Sequence, residues 1–269
     1  MFKALRQLFG SKSSSRPRVP DGARVYAVGD IHGCHDLFRA LGRAIEEDDH
    51  RRGAADTTVI LLGDLIDRGP GSAAVIAAAR QWQGHRKVRI LMGNHEEMLL
   101  NSLENPRTFN AFMRHGGRET ALSYPIDEAA FEAARAQGPE SAMAMMRAAI
   151  PDTDIAFIRA FEPMIAMGDY LFVHAGIQPG IPFDLQSPIE LLWIREPFLS
   201  DTRDHGAVVV HGHTITERPD MRANRIGLDT GAYASGRLTA MGFEGSERWV
   251  IEASDSAGTI TTAISAAAA

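Results

Sequence analysis

Five short runs of apolar and β-branched residues recur along the chain, and each one ends in a polar cluster that contains glycine. Valine, isoleucine and leucine are nearly continuous in these runs, which is typical of strands that are covered on both faces. Amphipathic helical patterns separate the first three runs, so strand and helix are predicted to alternate as in α/β proteins. The runs are residues 24–30, 57–64, 88–95, 170–176 and 207–214, and the helical patterns are 36–48 and 72–83.

Later β-rich runs extend this pattern. Residues 225–231, 237–245 and 248–253 have no helical pattern between them and are expected to form an antiparallel meander on a second sheet. The predicted fold class is therefore α/β with α+β character, a two-sheet β-sandwich flanked by helices.

A single domain is predicted over residues 23–254. Residues 96–165 are rich in alanine, methionine and glutamate and are expected to form a helical insertion that shapes one wall of a cleft. Residues 1–22 are predicted to be a flexible basic tail, with a short interfacial helix as the alternative. Residues 255–269 are expected to be a low-complexity tail that frays.

The composition is that of an ordinary globular protein, with 45% apolar and 23% charged residues. A formal net charge of −6 argues against a general nucleic-acid binder, so no nucleic-acid partner is expected. Cys34 is the sole cysteine, which excludes an intrachain disulfide. No apolar run is long enough to span a membrane, and no signal peptide is recognised. A cytoplasmic enzyme is expected, and the sequence makes no prediction about its oligomeric state.

Side chains with metal-binding chemistry follow the ends of the apolar runs. Since the carboxyl ends of strands in open α/β sheets lie along one edge, these side chains are expected to meet. Mixed oxygen and nitrogen ligands suit first-row divalent cations, and their number suits two cations that share one carboxylate. The residues are Asp30, His32, Asp64, Asn94, His95, His174 and His213.

Each of these motifs has a simpler interpretation when it is taken alone. Asp30 and His32 could cap a turn, and the GNHE stretch could cap a helix that begins near Glu96. His174 or His213 alone could be a hydrogen-bonded core histidine. The occurrence of all of them together, each after an apolar run, favours the metal site. P-loop, zincin and G-x-S-x-G motifs are absent from the sequence.

The motifs GDIHG, GDLIDRG, GNHE, VHAG and GHT together resemble the signature of the phosphoprotein phosphatases, the Ser/Thr phosphatase branch of the calcineurin-like metallophosphoesterases. They span residues 28–214, and small bacterial-type members resemble this chain best, including at LLWIREPF over 191–198. The resemblance implies the calcineurin-like metallophosphoesterase fold. It also implies that one metal is held by Asp30, His32 and Asp64, and that the other is held by Asp64, Asn94, His174 and His213.

The same resemblance implies the catalytic roles. His95 would be the general acid, Asp67 would orient it, and Arg68 and Arg195 would bind the phosphoryl oxygens. His211 is an alternative to His213 as a ligand, although His213 precedes a threonine as in the family's GHT.

The expected function is a metal-dependent phosphomonoesterase, in the first place a Ser/Thr protein phosphatase, in which a hydroxide bridging two metals attacks phosphorus directly. The expected cofactors are two divalent cations, with manganese favoured and iron, zinc, cobalt or nickel as alternatives. The expected partner is a phosphorylated protein or peptide, or a small phosphate ester. One alternative is hydrolysis of dinucleoside polyphosphates such as diadenosine tetraphosphate, against which Glu96 argues because such enzymes tend to read GNHD. Another is a catalytically inactive phosphate-binding scaffold.

Two further segments allow two interpretations each. The stretch RHGGRETALSY over 114–124 could contact substrate or form a turn between helices. Asp229 could support the metal ligands through hydrogen bonds or cap the following turn.

Overall fold

The computed structural model describes residues 16–267. In chain order the strands are β1 (Ala23–Val28), β2 (Asp56–Leu61), β3 (Val88–Ile90), β4 (Met164–Met167), β5 (Tyr170–Val173), β6 (Val208–His211), β7 (Asp220–Met221), β8 (Arg225–Gly227), β9 (Arg237–Glu244), β10 (Glu247–Ser256) and β11 (Thr259–Ala266). One sheet has the order β11-β10-β9-β1-β2-β3 and the other β4-β5-β6-β8-β7.

The helices are α1 (His35–Arg52), α2 (Ser72–Gln83), α3 (Asn94–Glu104), α4 (Pro106–Phe112), α5 (Arg118–Ser123), α6 (Glu128–Gln137), α7 (Pro139–Ala149), α8 (Asp152–Arg159), α9 (Pro188–Trp193) and α10 (Ala232–Ser235). A π-helical turn, Met113–Gly117, joins α4 to α5. Both sheets contain parallel and antiparallel strand pairs. The predicted fold class, a two-sheet α/β sandwich with flanking helices, is confirmed.

The apolar side chains are arranged in three layers. Helices α1 and α2 cover the outer face of the first sheet with residues such as Leu41 and Val75. The two sheets enclose a second cluster that includes Phe172 and Phe243. The outer face of the second sheet packs against Phe198, which follows α9. The near-continuous apolar runs follow from this layering, because strands such as β1 and β5 are buried on both faces.

The region predicted as a helical insertion contains α3 to α8, which begin at Asn94 and end at Arg159. Its side chains join the same apolar cluster as α1 and α2, so it packs as part of the domain. The prediction extended to residue 165, but β4 already begins at Met164, where it pairs with β5. In residues 16–267 no helix is both long and apolar enough to cross a membrane.

The C-terminal prediction was wrong. Thr259–Ala266 forms β11, which pairs with β10 from Ser256↔Thr259 to Trp249↔Ala266. Ala257 and Gly258 both have positive φ and make the two-residue turn that such a hairpin requires. The alanine-rich composition of this segment led to the prediction of a frayed tail. The strand is instead held in place, and Ile260 packs against the apolar cluster of the first sheet.

The prediction of a flexible tail was also wrong for residues 16–22. Val19 is fully buried between the sheets, and its N–H donates to the carbonyl of Gly245 at 3.0 Å. Residues 1–15, on which the possible interfacial helix falls, lie outside the described residues.

The predicted meander was wrong in part, because β9 and β10 pair antiparallel as expected but β8 does not join them. β8 pairs parallel with β6 in the second sheet, whereas β9 and β10 belong to the first. The chain crosses between the sheets through α10, because β9 pairs with β1 over Arg24–Val28.

Candidate metal and catalytic site

The ends of five strands in the two sheets approach one another. Asp30 and His32 follow β1, Asp64 follows β2, and Asn94 begins α3 shortly after β3. His174 directly follows β5 and His213 lies two residues after the end of β6. All six side chains are buried, and none is more than 8% exposed. The structure thus brings these six side chains together.

The first group contains Asp30, His32 and Asp64. Nδ1 of His32 lies 2.8 Å from the carbonyl of Ile66, which fixes the proton on that nitrogen, and Nε2 lies 3.6 Å from Oδ2 of Asp64. Burial lowers the pKa of His32 to about 3, so the imidazole is neutral and Nε2 carries a lone pair. An acceptor nitrogen therefore faces a carboxylate, an arrangement that a cation between them would stabilise.

The second group is built around Oδ1 of Asn94. This oxygen lies 2.9 Å from Nε2 of His174 and 2.9 Å from Nδ1 of His213. Nδ1 of His174 lies 2.8 Å from the carbonyl of Leu62 and therefore holds the proton, so Nε2 of His174 faces Asn94 with a lone pair. Two acceptors at this distance repel each other unless a cation binds both.

The surroundings of the Asp30 carboxylate also indicate that cations bind here. Oδ2 of Asp30 accepts the backbone N–H of His213 at 3.0 Å, while its buried Oδ1 has no hydrogen-bond partner among residues 16–267. Burial, together with the nearby Asp229 and Asp64 carboxylates, raises the pKa of Asp30 well above its usual value. Such crowding of buried carboxylates is favourable when cations neutralise it. Ligand atoms of Asp64, His174 and His213, and separately of His32, Asp64 and His95, lie within 4.8 Å of one another. The residues present fit two divalent cations.

His211 does not join this group. Its Nδ1 lies 3.0 Å from the carbonyl of Gly212, and its ring packs on Phe198 with 5.1 Å between the centroids. The close approach of Asp64 to α3 depends on Gly93, because a Cβ there would lie 2.2 Å from Oδ1 of Asp64.

His95 and Asp67 form a buried pair beside the first group. Nδ1 of His95 lies 2.6 Å from Oδ2 of Asp67, and Nε2 lies 3.8 Å from Oδ2 of Asp64. Burial alone would lower the pKa of His95, but Asp64 and Asp67 outweigh that effect and the pKa is raised. Asp67 is fully buried and orients the imidazole so that Nε2 points toward the candidate ligands.

The two arginines differ in their surroundings. Nη2 of Arg68 lies 3.1 Å from Nε2 of His95, and Cζ of Arg68 lies 4.7 Å from the ring centroid of Tyr233. Arg195 is exposed, and its Nη2 donates to the carbonyl of His213 at 3.4 Å. Both guanidinium groups thus lie beside the candidate ligands, one against each group.

A comparison with protein families identifies the scaffold. Residues 23–229 match the model of the calcineurin-like phosphoesterases. The chain belongs to the calcineurin-like phosphoesterase family. This phosphoesterase is 26% identical to bis(5'-nucleosyl)-tetraphosphatase PrpE [asymmetrical] of Bacillus velezensis over 84% of this chain and 92% of that protein. It is 29% identical to serine/threonine-protein phosphatase 1 of Salmonella typhimurium over 80% of this chain and 89% of that one.

The fold of this phosphoesterase is also that of solved structures. One of them, a protein provisionally assigned as a diadenosine tetraphosphatase, superimposes with a TM-score of 0.60 at 20% identity, over 93% of this chain and 99% of that chain. The predicted membership of the calcineurin-like metallophosphoesterases, as a small bacterial-type member, is confirmed.

Two residues of this phosphoesterase site, Tyr233 and Thr120, were not assigned from the sequence. Tyr233 is 41% exposed, and its ring meets the edge of His32 with 5.4 Å between the centroids. Thr120 contacts Asp67, and the glycine pair in RHGGRET was the signal that could have pointed to it. For Asp229 the turn interpretation applies, because Oδ1 accepts the backbone N–H of Gly231 at 2.8 Å, and its carboxylate also helps to raise the pKa of the nearby Asp30.

Proposed function

We propose that this phosphoesterase hydrolyses phosphate monoesters with two divalent cations, and that its substrates are phosphoserine and phosphothreonine in proteins. The observation that carries the proposal is the convergence of two groups of candidate ligands next to the Asp67–His95 pair. The inactive scaffold is not favoured, because every proposed ligand is present and directed into one site.

In this proposal Asp30, His32 and Asp64 hold one cation, and Asp64, Asn94, His174 and His213 hold the other. When bound, the cations supply Lewis acidity toward the phosphoryl group and lower the pKa of the attacking water. Manganese is the proposed metal among first-row cations that accept mixed nitrogen and oxygen ligands.

The chain's own residues bind the substrate and supply a proton. Arg68 and Arg195 bind phosphoryl oxygens and stabilise the negative charge that they carry in the transition state. His95 donates the proton on Nε2 to the departing oxygen, which is a contribution of about 10²–10⁴ in rate. Asp67 accepts the N–H of Nδ1 and so keeps the other nitrogen directed at the leaving group.

The segment that connects His174 to Arg195 supports a protein substrate. The segment between His174 and Arg195 exposes Ile181, Leu185 and Ile189, which are 43%, 68% and 54% exposed. Contiguous patches of exposed aliphatic side chains are typical of surfaces that contact other proteins. Dinucleoside polyphosphates are the second candidate substrates, and the resemblance to PrpE over 84% of the chain favours them.

A substrate panel tests the proposal. Each of Mn²⁺, Fe²⁺, Zn²⁺, Co²⁺ and Ni²⁺ is combined with phosphoserine, phosphothreonine and phosphotyrosine peptides and with diadenosine tetraphosphate. The expected result is metal-dependent release of phosphate with the highest kcat/KM for the phosphoserine and phosphothreonine peptides. A higher kcat/KM for diadenosine tetraphosphate would assign the second candidate instead. Metal-independent turnover, or turnover unchanged in His95→Asn, would overturn the proposed mechanism.

A further inference from the structure

We propose that Thr120 is a positioning residue of this enzyme, which acts through Asp67 to hold His95 in the orientation needed for proton donation. This inference rests on the proposed function. It assigns a catalytic consequence to the helical insertion, which supplies Thr120 from α5, on the far side of the Asp67–His95 pair from the candidate metal ligands.

The contacts of Thr120 are specific. Oγ1 of Thr120 donates to Oδ1 of Asp67 at 2.5 Å and also accepts the backbone N–H of Asp67 at 2.9 Å. Oγ of Ser72 lies 3.0 Å from Oγ1 of Thr120 and shares the same N–H of Asp67 at 3.0 Å. Thr120, Ser72 and Asp67 are all fully buried, so water does not replace any of these contacts.

The two oxygens of Asp67 consequently have separate partners. Oδ1 is held by Thr120, and Oδ2 is held by Nδ1 of His95 at 2.6 Å. If the hydroxyl of Thr120 is removed, Oδ1 is left as a buried carboxylate oxygen without that donor. The carboxylate would then be free to rotate toward other donors, and His95 would lose its fixed acceptor.

The backbone at this point needs external support. Asp67 and Arg68 are consecutive residues with φ values of 71° and 68°, in the left-handed region that side chains other than glycine seldom adopt. The N–H of Arg68 donates to the carbonyl of Gly116 at 3.2 Å. Gly116 itself has a φ of 104°, and a Cβ there would lie 2.6 Å from the nitrogen of Arg68. The stretch from Gly116 to Thr120 therefore holds both Asp67 and Arg68, which accounts for the glycine-rich RHGGRET motif.

Substrates with different leaving groups separate positioning from general damage. Proton donation matters for an alkoxide leaving group such as serine and matters little for p-nitrophenolate, which leaves without a proton. In Thr120→Val, which keeps the shape and removes the hydroxyl, kcat for a phosphoserine peptide is expected to fall about 10–100-fold. The kcat for p-nitrophenyl phosphate is expected to change less than about threefold, with KM for both substrates near the wild-type value. Thr120→Ser should restore most of the loss.

Thr58→Val is the matched control, because Thr58 is fully buried and its hydroxyl has no partner among residues 16–267. It should leave both activities unchanged. If Thr120→Val fails to fold, Thr120→Ser and Thr120→Ala carry the test, since only the serine variant keeps the donor.

The outcomes distinguish this inference from the proposed function. Equal losses on both substrates, or a serine variant as impaired as the valine variant, would overturn the role of Thr120 and leave the phosphatase proposal intact. A wild-type protein that hydrolyses neither monoester would overturn the proposed function and this inference with it.

Discussion

Oε2 of Glu96 accepts the backbone N–H of Asp64 at 2.9 Å. Oε1 of the same carboxylate accepts the N–H of Leu65 at 2.7 Å, and Oε2 also accepts the N–H of Gly93 at 3.0 Å. Glu96 is fully buried, so its carboxylate is occupied by backbone donors and does not face a substrate. The identity of this residue therefore gives no direct contact by which the enzyme could separate phosphoproteins from dinucleoside polyphosphates, although the sequence suggested that interpretation.

Glu96→Asp tests this finding. The shorter side chain cannot span the same donors, so the loop that carries Asp64 is expected to loosen and the protein to lose about 1–3 kcal/mol of stability. We expect kcat/KM to fall by a similar factor for a phosphopeptide and for diadenosine tetraphosphate, measured in parallel. A selective gain toward diadenosine tetraphosphate would contradict the structural role given to Glu96.

Removal and return of metal should change the stability of the protein. A cation present at one hundred times its Kd stabilises the folded state by about 2.7 kcal/mol, which raises Tm by roughly 5–10 °C in a chain of this size. Thermal unfolding of chelator-treated protein with increasing Mn²⁺ measures the shift. Asp64→Asn should abolish most of it, whereas Asp154→Asn, a change at a buried carboxylate paired with Arg80, should retain it. An Asp64→Asn protein with the full Mn²⁺ response would show that this carboxylate binds no cation.

Tyr233 is expected to hold Arg68 in place. The guanidinium carbon of Arg68 lies 4.7 Å from the ring centroid, a cation–π contact worth about 0.5–1 kcal/mol at an exposed position. Tyr233→Ala should therefore raise KM for a phosphate monoester by roughly threefold to fivefold, because Arg68 is less ordered before substrate binds. Tyr233→Phe keeps the ring and serves as the control, with KM near that of the wild type. If phenylalanine and alanine have the same effect, the hydroxyl and not the ring is responsible.

Asp49 should make stability dependent on acid pH. Its carboxylate accepts hydrogen bonds from Arg24, Thr57 and Arg86, each at 2.7 Å. Burial alone would raise the pKa of Asp49, but these donors outweigh burial and the pKa is lowered. A carboxyl group with a lowered folded-state pKa stabilises the protein above the unfolded pKa of about 3.9, and that stability is lost as the pH falls through the folded pKa.

Asp49→Asn should consequently be less stable than the wild type by roughly 2 kcal/mol at pH 7. The difference should shrink when both proteins are compared at a pH below the lowered folded-state pKa of Asp49. Urea unfolding at the two pH values measures it. A gap of the same size at both values would mean that the charge of Asp49 contributes nothing to the free energy of unfolding.

The candidate ligands could be read from the sequence because each lies within a few residues of a strand end. GDIHG and GNHE carry their chemistry locally, and the rule for carboxyl ends of parallel strands then predicts that they meet. The pairing of β9 with β1 could not be read in this way. It joins residues 24–28 to 240–244, and nothing in either stretch specifies a partner more than two hundred positions away.

Other features could not be predicted for the same reason, because they depend on contacts between residues that are far apart in the sequence. Composition suggested a frayed C-terminus because alanine-rich stretches carry little information when the paired strand is not known. Thr120 lies 53 positions from Asp67, so its role depends on how the insertion packs and not on any local pattern. Glu96 was taken to favour phosphoprotein substrates because the motif reads GNHE and not GNHD, whereas its side chain binds backbone N–H groups.

The two halves of the proposed metal centre differ in how far they reach along the chain. Asp30, His32 and Asp64 all come from one strand–helix–strand unit, whereas His174 and His213 come from the opposite sheet. The second cation would thus cross-link the two sheets, and it could bind only after the sheets have packed together. Cation binding at that position would therefore require the two sheets to be packed together. A small displacement of one sheet against the other would abolish activity well below the Tm of the protein.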